Sequence, residues 1–267
     1  EGTLFDAGTL HTISVDIPAD TLADVLQTYA DTGDKKWAKA SVTIDGVTYQ
    51  DVGIKLKGNS SLRGVNTSSK AETLPWRIRL DKYVDGQNID GYSDFTVRGN
   101  SSQTSINEAV ALDLLGDAGL ATEHAVQTGF SVNGSAQVLR LTVQNLDQTW
   151  VTQNFPQAGS GSILYKSDAD GDWSWRGADG DYTSSFDIEA GPDDYTPLIE
   201  LLDLLHNGTT ADITEKLPQL VDLDSFAAYL AFEDLIDNFD DIDGPGNNSY
   251  LFWDSTTKKF TVVAWDH

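Results

Sequence analysis

Alternating apolar and polar positions dominate the first half of the chain and predict β-strands. The hairpin over residues 39–58 turns at Asp45-Gly46, a strong short-range signal for a two-residue turn. The strand-like stretches are residues 10–17, 39–58, 76–80, 94–98 and 124–146. Residues 20–30 and 104–120 have helical spacing instead, and the second of these begins with polar capping residues and ends at a glycine.

The second half of the chain has a different pattern. Residues 195–208 and 222–239 have helical spacing, and residues 248–266 form two strand-like runs joined by a short polar turn. A strand-rich part with one helix is therefore followed by a helix-rich part with a terminal β-hairpin. We predict an α+β fold with a boundary near residue 145, which gives parts 1–145 and 146–267.

The charge of the chain restricts its partners. It has 17 basic and 42 acidic residues among 267, a formal net charge of −25. Nucleic acid and anionic membranes are poor partners for such a chain. No apolar run approaches the ~18 residues of a membrane-spanning helix, so direct membrane insertion is not expected.

The residue types that are missing also exclude some chemistry. The chain contains no Cys, which removes thiolate nucleophiles, cysteine-ligated metals and disulfides. It also contains no Met, so we expect a processed or excised piece of a larger multidomain protein. Together these features suggest an extracytoplasmic or cell-surface location.

Basic residues are scarce, yet several are concentrated on two strands and a nearby turn. Lys55, Lys57, Arg77, Arg79 and Arg98 share this region with the polar turn of residues 58–61. Backbone amides and hydroxyl groups in such a turn, together with cations, can bind phosphate oxygens. Asn59 and Ser60 are therefore candidate phosphate ligands, although solvent-facing strand positions would explain the same cations.

The order of polar residues along the chain strengthens this interpretation. Strand cations precede Glu108 at the start of a helix, and Asp240, Asn248 and Asp266 follow much later. A protein kinase uses the same order of parts, because the triphosphate needs cations, the attacking hydroxyl needs a carboxylate, and Mg²⁺ needs oxygen ligands from two segments. Asp243, five residues before Asn248, is a rival for the catalytic position.

Several stretches of the sequence resemble successive blocks of one family. The blocks are "VGIKLKGNSS", "WRIRLDKYVDGQ", "TSINEAVALDLLGDAG", "ILYK", "LDSFAAYLAFEDLIDNFDD", "NNSYLF" and "FTVVAWDH". In this order they resemble the CotH family, the spore-coat-type atypical kinases, over nearly the whole chain. The resemblance implies a two-lobed protein-kinase-like fold, with a sheet-rich N-terminal lobe and a helical C-terminal lobe.

The resemblance also implies a reaction and its residues. It implies transfer of the γ-phosphoryl group of ATP to a Ser or Thr hydroxyl of a protein substrate, with Mg²⁺ or Mn²⁺ as cofactor. By the same resemblance Asp240 is the catalytic residue, Asn248 and Asp266 are metal ligands, and Glu108 is the helix glutamate of the nucleotide site.

Two questions stay open at this point. Family members carry a Lys pair before the "WRIRL" strand, whereas Thr73-Leu74-Pro75 stands here. The phosphate-binding cation is therefore open among Lys70, Arg77 and Arg79. The function is open as well. The alternatives to a kinase are a non-catalytic surface adhesion or scaffold module and a nucleotidyl transferase on the same fold.

Overall fold

The computed structural model describes residues 4–99 and 104–267. The chain divides into two compact units, one of Glu1–Ala109 with Glu123–Asn145, the other of Val110–Thr122 with Leu146–His267. In chain order the elements are β1 (His11–Asp16), α1 (Ala19–Thr32), β2 (Ala38–Ile44), β3 (Val47–Leu56), β4 (Trp76–Arg79), β5 (Asp94–Val97), α2 (Asn107–Asp117), β6 (Ala125–Val132), β7 (Val138–Gln144), α3 (Gln148–Asn154), β8 (Ile163–Ser167), β9 (Phe186–Ala190), α4 (Thr196–Asn207), α5 (Thr210–Leu220), α6 (Leu223–Leu235), β10 (Ser249–Asp254) and β11 (Lys259–Ala264).

The first unit contains a closed β-barrel with strand order β1-β2-β3-β4-β5-β7-β6. Neighbouring strands pair antiparallel except at the closure, where β1 pairs with β6 in parallel, with Ile13 opposite Phe130. The alternation seen in the sequence places Ile54, Trp76 and Ile78 in the buried core of this unit. A closed barrel leaves no unpaired sheet edge, which removes the usual route to edge-to-edge aggregation.

The barrel confirms the predicted turn and brings the candidate cations together. The β2–β3 hairpin turns at Asp45 and Gly46, with φ of 48° and 86°, as a two-residue turn of the predicted kind requires. The strands that carry the candidate cations share a sheet, because β3 pairs with β4 and Lys55 lies opposite Arg77.

The second unit contains a four-stranded sheet of order β11-β10-β8-β9. Its two last strands form the predicted terminal hairpin, with Ser249 paired to Ala264. One face of this sheet is covered by a buried aromatic cluster that includes Trp150, Phe252 and Trp265. The ring of Phe155 stacks on that of Phe252 with 4.0 Å between centroids.

The prediction of a two-lobed protein-kinase-like fold is wrong. The N-terminal part is not an open sheet, because β1 pairs with both β2 and β6 and closes a seven-stranded barrel. The C-terminal part is not a helical lobe with an added hairpin, because β8 and β9 extend that hairpin into a four-stranded sheet. Both errors come from pairings between strands far apart in sequence, which local patterns do not encode.

None of the helices within the described ranges is long and apolar enough for a membrane crossing.

Candidate active site

The loop between α6 and β10 brings two of the predicted site residues into contact. Asn248 Nδ2 donates a hydrogen bond to Asp240 Oδ2 at 2.8 Å, and both residues are half-buried. Asn248 has a φ of 46°, in the left-handed region that Asn tolerates better than most residues. Because the amide nitrogen faces Asp240, the side-chain oxygen of Asn248 is the atom left for another partner.

Side chains that the sequence analysis did not select hold this loop in place. The buried carboxylate of Asp241 accepts the backbone N–H groups of Asp243 and Gly244 at 3.1 and 2.9 Å. The Tyr229 hydroxyl on α6 accepts the N–H of Ile242 at 3.3 Å, and burial raises the pKa of this phenol. Neutral Tyr229 and the Asp241 carboxylate therefore fix the backbone beside Asp240.

Asp266 lies at the same end of the terminal hairpin as Asn248. Ser249 pairs with Ala264, so Asn248 directly precedes β10 and Asp266 follows β11 by two residues. Asp266 is exposed and has a φ of 67°. The hairpin thus brings the two predicted metal ligands to one end of the sheet, although they are 18 positions apart in sequence.

The donors present suit a hard divalent cation. Within the part of the chain that the structure describes, no three or more His, Cys, Asp or Glu side chains cluster so as to hold a metal ion. A cation here would depend on the Asn248 amide oxygen and the Asp266 carboxylate, completed by phosphate and water oxygens. Mg²⁺ binds in this way, with few protein ligands and several retained waters, and Mn²⁺ suits the same oxygen donors.

In the first unit, the helix glutamate pairs with one of the candidate cations. Arg98 Nε and Nη2 donate to Glu108 Oε1 at 3.1 and 2.7 Å, and both side chains are largely buried. This ion pair couples the segment after β5 to the start of α2. Glu108 thus contacts one of the candidate cations, and its role toward a nucleotide stays a prediction.

Arg77 is engaged in a buried polar network. Its Nε and Nη2 donate to the two carboxylate oxygens of Asp94 at 2.9 and 2.5 Å. Asn145 Nδ2 also donates to Asp94, and Asn145 Oδ1 accepts from Thr96. The charge of Arg77 is therefore already matched by a carboxylate.

The other candidate phosphate ligands lie nearer the surface. Arg79 donates to Asp81 at 2.8 Å, and Lys70 is exposed. Asn59 and Ser60 are exposed in the predicted polar turn, and Asn59 Oδ1 accepts from Lys35 Nζ at 2.9 Å. The turn begins at Gly58, whose φ of 117° is open only to glycine in practice.

The comparison with protein families gives a match over most of the chain. Residues 54–267 match the family described as CotH kinase protein. No curated protein matches the chain. The match contains Glu108 and the whole α6–β10 loop with Asp240 and Asn248, and it extends to the last residue of the chain. It suggests a kinase-like function, and because it covers well over half of the sequence, the chain belongs to the CotH kinase protein family.

Proposed function

We propose that this protein is a Mg²⁺- and ATP-dependent protein kinase that transfers the γ-phosphoryl group to a Ser or Thr hydroxyl. The observation that carries the proposal is the contact between Asp240 and Asn248 in a loop braced from α6, within the part of the chain that matches the family. Phosphoryl transfer depends mainly on positioning and on charge stabilisation, and this loop offers fixed oxygen donors for both.

Asp240 has the chemistry that the acceptor hydroxyl requires. A carboxylate can accept the hydroxyl hydrogen bond, orient the oxygen for in-line attack and take its proton as the new bond to the γ-phosphorus forms. The bond from that phosphorus to the bridging oxygen breaks, and ADP leaves with the electron pair. The hydrogen bond from Asn248 to Asp240 Oδ2 fixes the rotation of the carboxylate. The other oxygen, Oδ1, would then accept the hydrogen bond from the hydroxyl of the protein substrate.

Asn248 and Asp266 would hold the metal ion. A Mg²⁺ ion held there would supply positive charge that stabilises the phosphate groups during transfer. Asp266 carries the same negative charge as Asp240, and the net charge of −25 adds to the repulsion that a bound cation would relieve. The local charge therefore favours recruitment of a divalent cation.

The more exposed basic residues are the better candidates for binding the phosphates, because their charges are more accessible to a ligand. Arg77 is neutralised by Asp94, whereas Lys70 is exposed and Arg79 is 40% exposed beside Asp81. We assign phosphate binding to Lys70 and Arg79 ahead of Arg77, with Asn59 and Ser60 as neutral hydrogen-bonding groups and Glu108 as the anchor of Arg98.

We further propose that the acceptor is a protein encountered outside the cytoplasm. The acidic sequence without Cys is what supports this location. The same acidity speaks against nucleic acid as a partner.

The test uses two labels on ATP. The chain is incubated with Mg²⁺ and casein, once with γ-labelled and once with α-labelled ATP, and label on either protein is counted. A kinase incorporates the γ label alone. Incorporation of the α label would show nucleotidyl transfer, and no incorporation with either label would favour a non-catalytic adhesion or scaffold module; both outcomes contradict the proposal.

A further inference from the structure

A fully buried carboxylate on α6 has partners on both sides of the candidate site. Glu233 is 1% exposed, whereas the neighbouring buried positions of the same helix are the aromatic residues Tyr229 and Phe232. An acidic side chain is costly in such a place unless it is paired. Glu233 lies in the core of the second unit, so we expect its carboxylate oxygens to face polar groups that compensate for the cost of burial.

The first partner of Glu233 leads directly to Asp240. Asn238 Nδ2 donates to Glu233 Oε2 at 2.7 Å, and the backbone N–H of Asn238 donates to the carbonyl of Glu233 at 3.0 Å. Asn238 Oδ1 in turn accepts the backbone N–H of Asp240 at 3.2 Å. The orientation of the Asn238 amide, and with it the path of the backbone into Asp240, is thus fixed by one oxygen of Glu233.

The second partner follows Asp266 in sequence. His267 Nε2 faces Glu233 Oε1 at 3.4 Å, and the His267 side chain is also 1% exposed. Among the described residues neither of these atoms makes a hydrogen bond, so the carboxylate oxygen and the ring nitrogen are each other's nearest polar contact in a buried setting. The His267 ring packs edge-on against Phe232 with 5.5 Å between centroids. Glu233 and Phe232 together therefore hold the residue that succeeds the predicted metal ligand.

We propose that Glu233 is a positioning residue for phosphoryl transfer, which aligns Asp240 and Asp266 by holding Asn238 on one oxygen and His267 on the other. This inference rests on the proposed function and adds to it the residue that connects the two halves of the site. Glu233 itself touches neither the acceptor nor the phosphate. A displacement of about 1 Å in either half would lower the rate by about 100-fold.

The test compares Glu233→Ala with Glu233→Gln. Glutamine keeps the length of the side chain, an oxygen that accepts from Asn238 and a polar atom facing His267. Glu233→Gln should therefore retain most of the activity and local stability that Glu233→Ala loses. Leu202→Ala in α4 is the control, because it removes buried apolar contacts without touching the site. Thermal melts of each variant are used to choose a temperature at which all of them are folded.

Two readouts are measured on these variants. In metal-free protein, Glu233→Ala should speed amide hydrogen exchange in residues 238–243 by about tenfold, because their local opening becomes easier. In γ-phosphoryl transfer to casein, Glu233→Ala should lower kcat by about 100-fold with little change in the KM for casein. Glu233→Gln and Leu202→Ala should stay close to the wild type in both readouts.

The outcomes separate this inference from the proposed function. Unchanged exchange in Glu233→Ala overturns the positioning role, and so does an unchanged kcat in an otherwise active protein. If Leu202→Ala loses as much kcat as Glu233→Ala, general loss of stability explains the effect and the inference is wrong. A wild type without transfer would overturn the proposed function, and hydrogen exchange would then decide the positioning role by itself.

Discussion

At the scale of single residues, backbone conformation and side-chain chemistry coincide at the ends of the terminal hairpin. Asn248 and Asp266 both have positive φ, 46° and 67°, which is uncommon for residues other than glycine and is best tolerated by Asn and Asp. Strained backbone is often found at functional sites. Here the two residues predicted to supply metal ligands are among nine non-glycine residues with positive φ in the described part of the chain.

This conformation decides how Asp266 should be tested. Alanine at a φ of 67° would add backbone strain, whereas asparagine tolerates the left-handed region and removes only the negative charge. We predict that Asp266→Asn lowers γ-phosphoryl transfer by at least about 100-fold, because a metal ligand is weakened. We also predict an unchanged or slightly higher Tm in metal-free buffer, since one repelling charge is lost.

The measurement pairs transfer assays with thermal melts in the presence and absence of Mg²⁺-ATP. Asp234→Asn on the exposed side of α6 is the matched control and should leave both quantities unchanged. A fully active Asp266→Asn variant would remove Asp266 from the proposed metal site.

At the scale of secondary-structure elements, one arginine on β7 connects this strand to two other backbone segments of the first unit, residues 72–74 and residue 98. Arg140 on β7 is 1% exposed and donates to the carbonyl oxygens of Arg98, Glu72 and Leu74 at 2.6, 2.6 and 2.8 Å. Its guanidinium also lies over the ring of Phe130 at 5.6 Å. Burial lowers the pKa of Arg140 to about 10, so the group is still charged at neutral pH.

We predict that Arg140→Met lowers the free energy of unfolding by about 3 kcal/mol, because it leaves three carbonyl groups without their buried donor. The measurement is urea unfolding followed by tryptophan fluorescence. Arg63→Met, at an exposed position, should leave the unfolding free energy nearly unchanged. Equal stability of the two variants would show that the Arg140 contacts contribute little.

Local patterns in the sequence predicted elements more reliably than their arrangement. The turn at Asp45-Gly46, the strand Trp76–Arg79 and the helix that begins near Glu108 each follow from a few neighbouring residues. The parallel pairing of β1 with β6 joins segments more than 100 residues apart, and it is what closes the barrel. Such pairings depend on the packed core and not on local propensity.

The same distinction applies to the candidate site. Asp240 and Asn248 could be selected from sequence because polar residues beside an apolar hairpin are conspicuous. Glu233, Asp241 and Tyr229 could not, because on α6 or in an acidic loop they look like ordinary surface or core positions until their hydrogen bonds are seen. The one available signal was the spacing of Glu233, which follows Phe226 by seven residues and Tyr229 by four and therefore lies on the same face of the helix as these aromatic residues.

At the scale of the whole molecule, the family match and the barrel have different extents. The match begins at residue 54, inside β3, so β1, α1 and β2 precede it. These first two strands are the ones that close the barrel against β6. The blocks from which the kinase-like architecture was predicted begin at residue 52, whereas the closure of the barrel depends on strands that precede them.

The central claim is that Asp240 is the catalytic carboxylate of a protein kinase, and its rival Asp243 provides the matched control. Both lie in one loop, but only Asp240 accepts a hydrogen bond from Asn248, while the exposed Asp243 uses its backbone N–H to bond Asp241. Because both changes keep the size of the side chain, Asp240→Asn and Asp243→Asn isolate the carboxylate charge.

The deciding measurement is single-turnover transfer of γ-labelled phosphate to casein by the wild type and these two variants. We predict that Asp240→Asn slows transfer by about 10²- to 10⁴-fold, as expected for loss of a general base, while Asp243→Asn stays near the wild-type rate. Loss of transfer in Asp243→Asn, with an active Asp240→Asn, would contradict the account and assign the catalytic role to Asp243.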